Sequence, residues 1–150
     1  MSSGPSGGII AGQAILVEAN IDDMDPRLYP VLLDSLFNAG AVDAWLTPVQ
    51  MKKGRPGTIV SALTKSEQLR SLAKVFFDES TTLGVRYRMV ERLECSREFV
   101  VCSTRHGEIR FKVAGGNARP EFEDCRQAAS IAGIPVSQVL EEVSQDYLES

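Results

Sequence analysis

AILVEANIDDMDP, residues 14–26, runs from an apolar segment into an acidic one and ends on a proline. The short apolar run 14–19 predicts a buried strand. Residues 20–25 are a polar loop, and Asp25-Pro26 is a helix-start signal, with Asp as cap and Pro at the first helical position. Leu28, Val31, Leu32 and Leu36 follow at helical spacing, and Gly40 ends the helix. Pro30 removes a backbone donor, so the helix either begins there or bends in its first turn.

The pattern continues outward from this stretch. Residues 42–49 predict a second strand, 50–57 (QMKKGRPG) a loop punctuated by Gly54, Pro56 and Gly57, and 58–63 a third strand. Ser66 is expected to cap a second helix with Leu69, Leu72, Ala73, Phe76 and Phe77 on one face. Residues 79–84 (ESTTLG) form a loop, and in 85–93 Val85, Tyr87 and Met89 alternate against Arg86 and Arg88 as a fourth strand. The order βαββαβ predicts an α+β fold with a ferredoxin-like core. Beyond it, 98–104 and 108–113 read as a β-hairpin turned at His106-Gly107 and 114–120 as a glycine-containing loop. Residues 121–132 and 135–148 read as C-terminal helices split by Gly133 and Pro135, the last a partner-binding or loosely docked element. The expected organisation is a disordered Ser/Gly/Pro-rich leader or expression remnant over 1–12, then one α+β domain over 13–150. Its core is 13–94, and its hairpin and helical extension 95–150.

A length of 150 residues suits one domain, and 43% hydrophobic with 24% charged residues is an ordinary globular composition. The net charge of −4 argues against binding nucleic acid through bulk charge. No apolar run approaches the roughly 20 residues that span a bilayer, and the start of the chain lacks a secretory pattern. Cys95, Cys102 and Cys125 are odd in number without CxxC spacing, which reads as reduced thiols in a cytoplasmic protein. A single histidine, His106, cannot build a poly-His site.

Strand direction locates the chemistry. If strand one ends at the top of the sheet, strand two ends there too, and the second helix climbs back to the same edge. The loops NIDDMD, QMKKGRPG and ESTTLG therefore share one rim. Asp22 and Asp23 are hard oxygen donors suited to Mg²⁺ or Mn²⁺. Lys52, Lys53 and Arg55 can neutralise phosphates, Gly54 and Gly57 permit close backbone approach, and Thr81 and Thr82 can donate to oxygen. A Walker A motif is absent. Plainer roles stay open: Asp25 as a helix cap, Asp22 and Asp23 as solvated loop acids, and the basic residues as a solubilising turn. Arg86 and Arg88 read as sheet-surface residues, Trp45 and Tyr87 as core or interface, and His106 as a structural turn residue. Glu121 and Asp124 either favour the positive end of their helix or present further carboxylates.

NIDDMDP, PVQMKKGRPG, ESTTLGVR and RPEFEDC, in this order and spacing, resemble the C-terminal half of the nickel-insertion proteins of lactate racemase maturation. The resemblance runs from about Val17 to about Val136. It implies the CTP-binding half of a CTP-dependent nickel chelatase or cyclometallase of the lyase class. Such a protein installs nickel into pyridinium-3,5-bisthiocarboxylic acid mononucleotide, forming a carbon–nickel bond by way of a cytidylylated substrate. Carried over, Asp22 and Asp23 would lie near a Mg²⁺ or Mn²⁺ ion. Lys52, Lys53 and Arg55 would lie near the triphosphate, with Gly54, Thr81, Thr82 and Arg86, and then Glu121 and Asp124, around the nucleotide. Ni²⁺ would be the substrate metal, handled by a histidine-rich N-terminal half that this sequence does not contain. The expected partners are the nucleotide, the cofactor precursor, that N-terminal half and further copies of the chain, with no nucleic acid and no membrane. Residues 114–118 are shorter than the family's usual loop, and Pro30 stands where helix-friendly residues are commoner. The chain would then be a separate C-terminal subunit, an excised domain or a relative that kept only the nucleotide site. The alternative from another class is a non-catalytic ferredoxin-like ligand-binding or oligomerisation module.

Overall fold

β1 (Ile9–Ile21) turns alternate side chains to opposite faces, and Ile15, Val17, Ala19 and Ile21 share one of them. Against that face pack α1 (Tyr29–Asn38) and α2 (Leu69–Glu79), whose Leu32, Leu36, Leu72 and Phe76 are fully buried. With β2 (Asp43–Gln50), β3 (Pro56–Thr64) and β4 (Arg86–Cys95), the sheet order is β2-β3-β1-β4. β3 runs antiparallel to both β1 and β2, so β1 and β2 point the same way. This is the ferredoxin-like arrangement expected from the βαββαβ order.

The computed structural model describes residues 8–150. Their contacts divide the chain into two units, one of Ala11–Arg92 and one of Leu93–Ser150 together with the described residues up to Ile10, where the sequence reading drew one domain with its core ending at 94. The expected leader, 1–12, lies outside the described residues over 1–7, and Ile9–Gly12 open β1 instead.

Both readings of Pro30 contribute. A 3₁₀ turn over Pro26–Leu28, with Asp25 accepting from the Arg27 backbone N–H at 3.0 Å, leads into α1, where Pro30 occupies the first turn. There a missing donor costs little. Ser66 is not a side-chain cap: it opens a 3₁₀ turn, Ser66–Gln68, with Lys65 at the cap position and no capping side-chain bond. Phe77 turns outward and is 47% exposed, and Trp45 and Tyr87 are likewise uncovered rather than core.

The second unit pairs β5 (Glu98–Thr104), β6 (Gly107–Ala114) and β7 (Asn117–Pro120) into one sheet, joined by α3 (Phe122–Ala132) and α4 (Val136–Glu149). β7 corrects the loop expected at 114–120. Gly115 and Gly116 both take positive φ, 56° and 81°, and make a tight hairpin turn back onto β6. α4 is docked, with Val139 and Val143 fully buried beside Ile109 and Phe111, and Phe111 stacks on Tyr147 at 4.5 Å. The three cysteines are free thiols. Among the described residues no helix is long and apolar enough to cross a membrane.

Candidate functional site

The β1–β3 register sets Ile21 opposite Thr58, and the β2–β3 register sets Gln50 opposite Pro56. The end of β1 and the β2–β3 turn therefore meet at one edge of the ferredoxin-like sheet. The segment after α2 reaches the same edge. Asp22 lies 3.7 Å from the Arg55 guanidinium, and the Thr81 hydroxyl donates to Asp23 at 2.5 Å. Three loops are thus linked through four of the expected site residues.

The basic turn has an unusual backbone. Lys53 sits at φ 62°, ψ 22° and is the one non-glycine residue at positive φ among the described residues; Gly54 follows at φ 69°. The Met51 N–H donates to the Arg55 carbonyl at 2.7 Å and closes the turn. Two left-handed residues in succession raise Lys52, Lys53 and Gly54 at its tip. A side chain in that region stores strain of about 1–3 kcal/mol, which surrounding structure must hold. Part of the hold comes from Met51, which the sequence reading passed over. A Cβ built on Gly57 would fall 2.4 Å from Met51 Sδ and 2.9 Å from the Ile21 carbonyl oxygen. Met51 therefore lies flat on Gly57, and β3 passes close beneath the last residue before the acidic loop.

Thr82 spends its hydroxyl locally, donating to the Gly84 carbonyl at 2.8 Å, and its own N–H donates to Ser80 Oγ at 3.2 Å. Arg86 stands at the head of β4 and pairs with Glu18 at 3.2 Å. Its partner could have been suspected: Glu18 is the one charged residue in the apolar run AILVEA. Asp25 is a cap, with the Arg27 side-chain hydrogen bonds holding its carboxyl below the usual carboxylate range. Glu121 and Asp124 belong to the other unit. Glu121 precedes α3, where its N–H donates to the Arg110 carbonyl at 2.8 Å. Asp124 takes the Arg110 guanidinium at 2.7 and 2.9 Å and its backbone N–H at 3.0 Å. Those bonds, the side-chain ones foremost, hold the Asp124 carboxyl below its ordinary value.

No group of three or more His, Cys, Asp or Glu side chains converges on a metal position among the described residues. Asp22 and Asp23 with one neighbouring cationic turn form instead a two-carboxylate edge. That donor set suits a divalent cation that arrives with phosphate oxygens and keeps several waters.

These features define a ferredoxin-like domain with a charged rim at one edge of its sheet. The chain belongs to the nickel insertion protein family, whose model matches residues 5–140. It is 37% identical over 143 residues to the pyridinium-3,5-bisthiocarboxylic acid mononucleotide nickel insertion protein of Desulfitobacterium hafniense (strain DSM 10664 / DCB-2), covering 92% of this chain and 36% of that protein. A protein of the same name from Thermotoga sp. (strain RQ2) is 38% identical over 140 residues, 90% of this chain and 35% of the relative. The chain thus spans about a third of the length of these curated relatives. Among solved structures it is similar to apo LarC2, the C-terminal domain of a cyclometallase involved in the synthesis of the NPN cofactor of lactate racemase. That match has 33% identity and a TM-score of 0.82 over 92% of this chain and 99% of that one.

Proposed function

We propose that this chain is the CTP-binding part of an enzyme that inserts nickel into pyridinium-3,5-bisthiocarboxylic acid mononucleotide, and that the rim of the ferredoxin-like sheet is its nucleotide site. The observation that carries the reading is the meeting of acidic and basic loops, with Asp22 3.7 Å from Arg55. The names of the relatives support the substrate and the metal, with nickel as the cargo. In this reading its handling falls to an N-terminal half that partners this part. The protein is read as a cytoplasmic homo-oligomer of the lyase class, without nucleic-acid or membrane partners.

Asp22 and Asp23 would hold a Mg²⁺ or Mn²⁺ ion, whose contribution is to neutralise phosphate charge. Lys52, Lys53 and Arg55 bind the β- and γ-phosphates, and Gly54 and Thr81 let the chain approach them closely. An anionic oxygen of the precursor attacks the α-phosphorus, an oxygen–phosphorus bond forms, and the bond to pyrophosphate breaks. The negative charge growing on the departing pyrophosphate is offset by the basic turn, which is already fixed before reaction. No nucleophilic side chain is needed.

Calorimetry of the chain with Mn²⁺ and each of the four ribonucleoside triphosphates tests the site, and incubation with CTP, Mn²⁺ and the precursor tests the chemistry. Metal-dependent CTP binding and pyrophosphate release are expected. Lys53→Ala should weaken CTP roughly tenfold while weakening CMP less, the size of one charge-assisted contact. Binding without release would make the chain a non-catalytic ligand-binding module, and no triphosphate binding would overturn the reading.

A further inference from the structure

The sheet of the C-terminal unit is missing a corner. β6 has eight residues and β7 four. β7 pairs with β6 from Ala114 back to Phe111 and stops at Pro120, which has no N–H to carry the ladder further. α3 runs along the vacant edge instead. There the Arg110 N–H donates to Asp124 at 3.0 Å, and the Arg110 carbonyl accepts from the Glu121 N–H at 2.8 Å. In an antiparallel strand, residues two apart turn their main-chain groups to the same side. Glu108 therefore turns its own N–H and C=O toward this edge, where no strand meets them.

Between the edge and α3 lies a cleft of about 380 Å³, near the lower end of the range for small-molecule sites. Its floor is Ile109 and Ala128, both buried in the core of this unit. Asp124, Ala128 and Ile131 recur at helical spacing on α3, so Ile131 continues the same wall. Ile131 is 89% exposed and Val101, which also lines the cleft, 62%. Two aliphatic side chains thus stand uncovered beside an apolar floor.

The polar groups form two poles. Arg110 spends Nε and one terminal nitrogen on Asp124, which leaves its other terminal nitrogen beside the Glu108 N–H as a donor set. The Glu108 side chain is exposed and has no hydrogen bond or ion pair among the described residues, so it brings an uncommitted negative charge to the cleft. His106 lines the cleft from the β5–β6 turn, its Nε2 held by Glu142.

We propose that this cleft binds a free aliphatic α-amino acid. Its ammonium meets the Glu108 carboxylate, its carboxylate meets the Arg110 guanidinium and the Glu108 N–H, and its side chain covers Ile109 and Ala128 between Val101 and Ile131. A zwitterion matches both poles at once. An anion without the amine faces Glu108 and Asp124 with nothing to offset them, and a cation without the carboxylate leaves the donor set unanswered. The rim belongs to the other unit, so the proposal goes beyond the nucleotide reading and stands or falls apart from it.

Calorimetry of the full chain with L-leucine, L-alanine, isocaproate, isoamylamine and N-acetyl-L-leucine tests the cleft. Leucine should bind, and isocaproate and isoamylamine, which each keep the branched body and one charged group, should bind about tenfold more weakly. Alanine should also bind more weakly, because it covers less of the floor. Glu108→Gln should weaken leucine about tenfold while leaving isocaproate affinity and the denaturation midpoint in place. Ile131→Ser should reduce the preference for leucine over alanine. Absence of leucine binding would overturn the proposal, and so would undiminished binding by the Glu108→Gln chain. Isoamylamine binding as tightly as leucine would leave the carboxylate unread and overturn it. Tighter binding of N-acetyl-L-leucine than of leucine would assign the cleft to a peptide end, and the free amino acid would be ruled out.

Discussion

In the C-terminal unit Arg105 reaches Asp146 at 2.6 Å and Arg110 reaches Asp124 at 2.7 Å, whereas on the rim of the ferredoxin-like sheet Arg55 stops 3.7 Å from Asp22. Lys52 and Lys53 make no ion pair among the described residues. The tight pairs join elements within their unit: Arg105 in the β5–β6 turn to α4, and Arg110 on β6 to α3. His106, half-buried in that same turn, adds a contact to Glu142 of α4. Arg105 and Arg110 each spend Nε and one terminal nitrogen on their carboxylate. On the rim the two lysines are not committed to carboxylates in this way. Equal charge in sequence therefore serves cohesion in one unit and availability in the other.

The largest expected effect breaks the rim by moving it. Gly57→Ala puts a Cβ against Met51 Sδ and the Ile21 carbonyl, and the latter is backbone that cannot swing aside. Overpacking of this kind costs about 1–3 kcal/mol. The turn should lift away from the end of β1, so CTP·Mn²⁺ affinity should fall together with the denaturation midpoint. Full affinity at a lowered midpoint would mean that the seating of the turn is irrelevant to the ligand.

Acid sharpens the contrast from the other side. The Asp124, Glu142 and Asp146 carboxyls are held below their ordinary values by hydrogen bonds from Arg110, from Gln138 and then His106, and from Arg105 respectively. A folded-state value below the unfolded one means that the unfolded chain takes up protons first. The stabilisation is complete above the ordinary carboxylate range of roughly 3.9–4.3 and is lost as pH falls through the lowered values. Amide exchange in α3 and α4 should therefore accelerate as pH drops below about 4. Asp124→Asn should flatten that response, and an unchanged profile would remove the Arg110 pair from the unit's cohesion.

The parts of this contrast legible in the sequence were those carried by period and direction. Alternation in 85–93 and the helical spacing after Asp25 gave the element order, and strand direction alone put the three loops on one rim. Pairings across sequence distance were not legible: Arg86 with Glu18 is 68 residues apart, and Arg110 with Asp124 depends on how β6 meets α3. Period assigns a face without saying how well it is covered, so Phe77 was misjudged, and of the two roles read for Trp45 and Tyr87 their exposure removes the core one. β7 was missed because Gly115-Gly116 is read as loop composition, although two consecutive positive-φ residues are also what a tight hairpin demands. The backbone state of Lys53 carried no sequence signal, since lysine is an ordinary loop residue that seldom adopts it.

That residue gives the smallest and most discriminating test. At φ 62° Lys53 pays the left-handed penalty of about 1–2 kcal/mol that glycine escapes. Lys53→Ala keeps the penalty and loses the ammonium; Lys53→Gly loses both. Glycine's greater freedom in the unfolded chain returns about 0.4–1 kcal/mol of the gain. Denaturant titration should then find the glycine variant more stable than the alanine variant by up to about 1.6 kcal/mol. Their affinities for CTP·Mn²⁺ should fall equally, because only the charge touches phosphate. If the glycine variant binds as the unsubstituted chain does, the ammonium is not at the polyphosphate, and the strained turn loses the function that would account for lysine at this position.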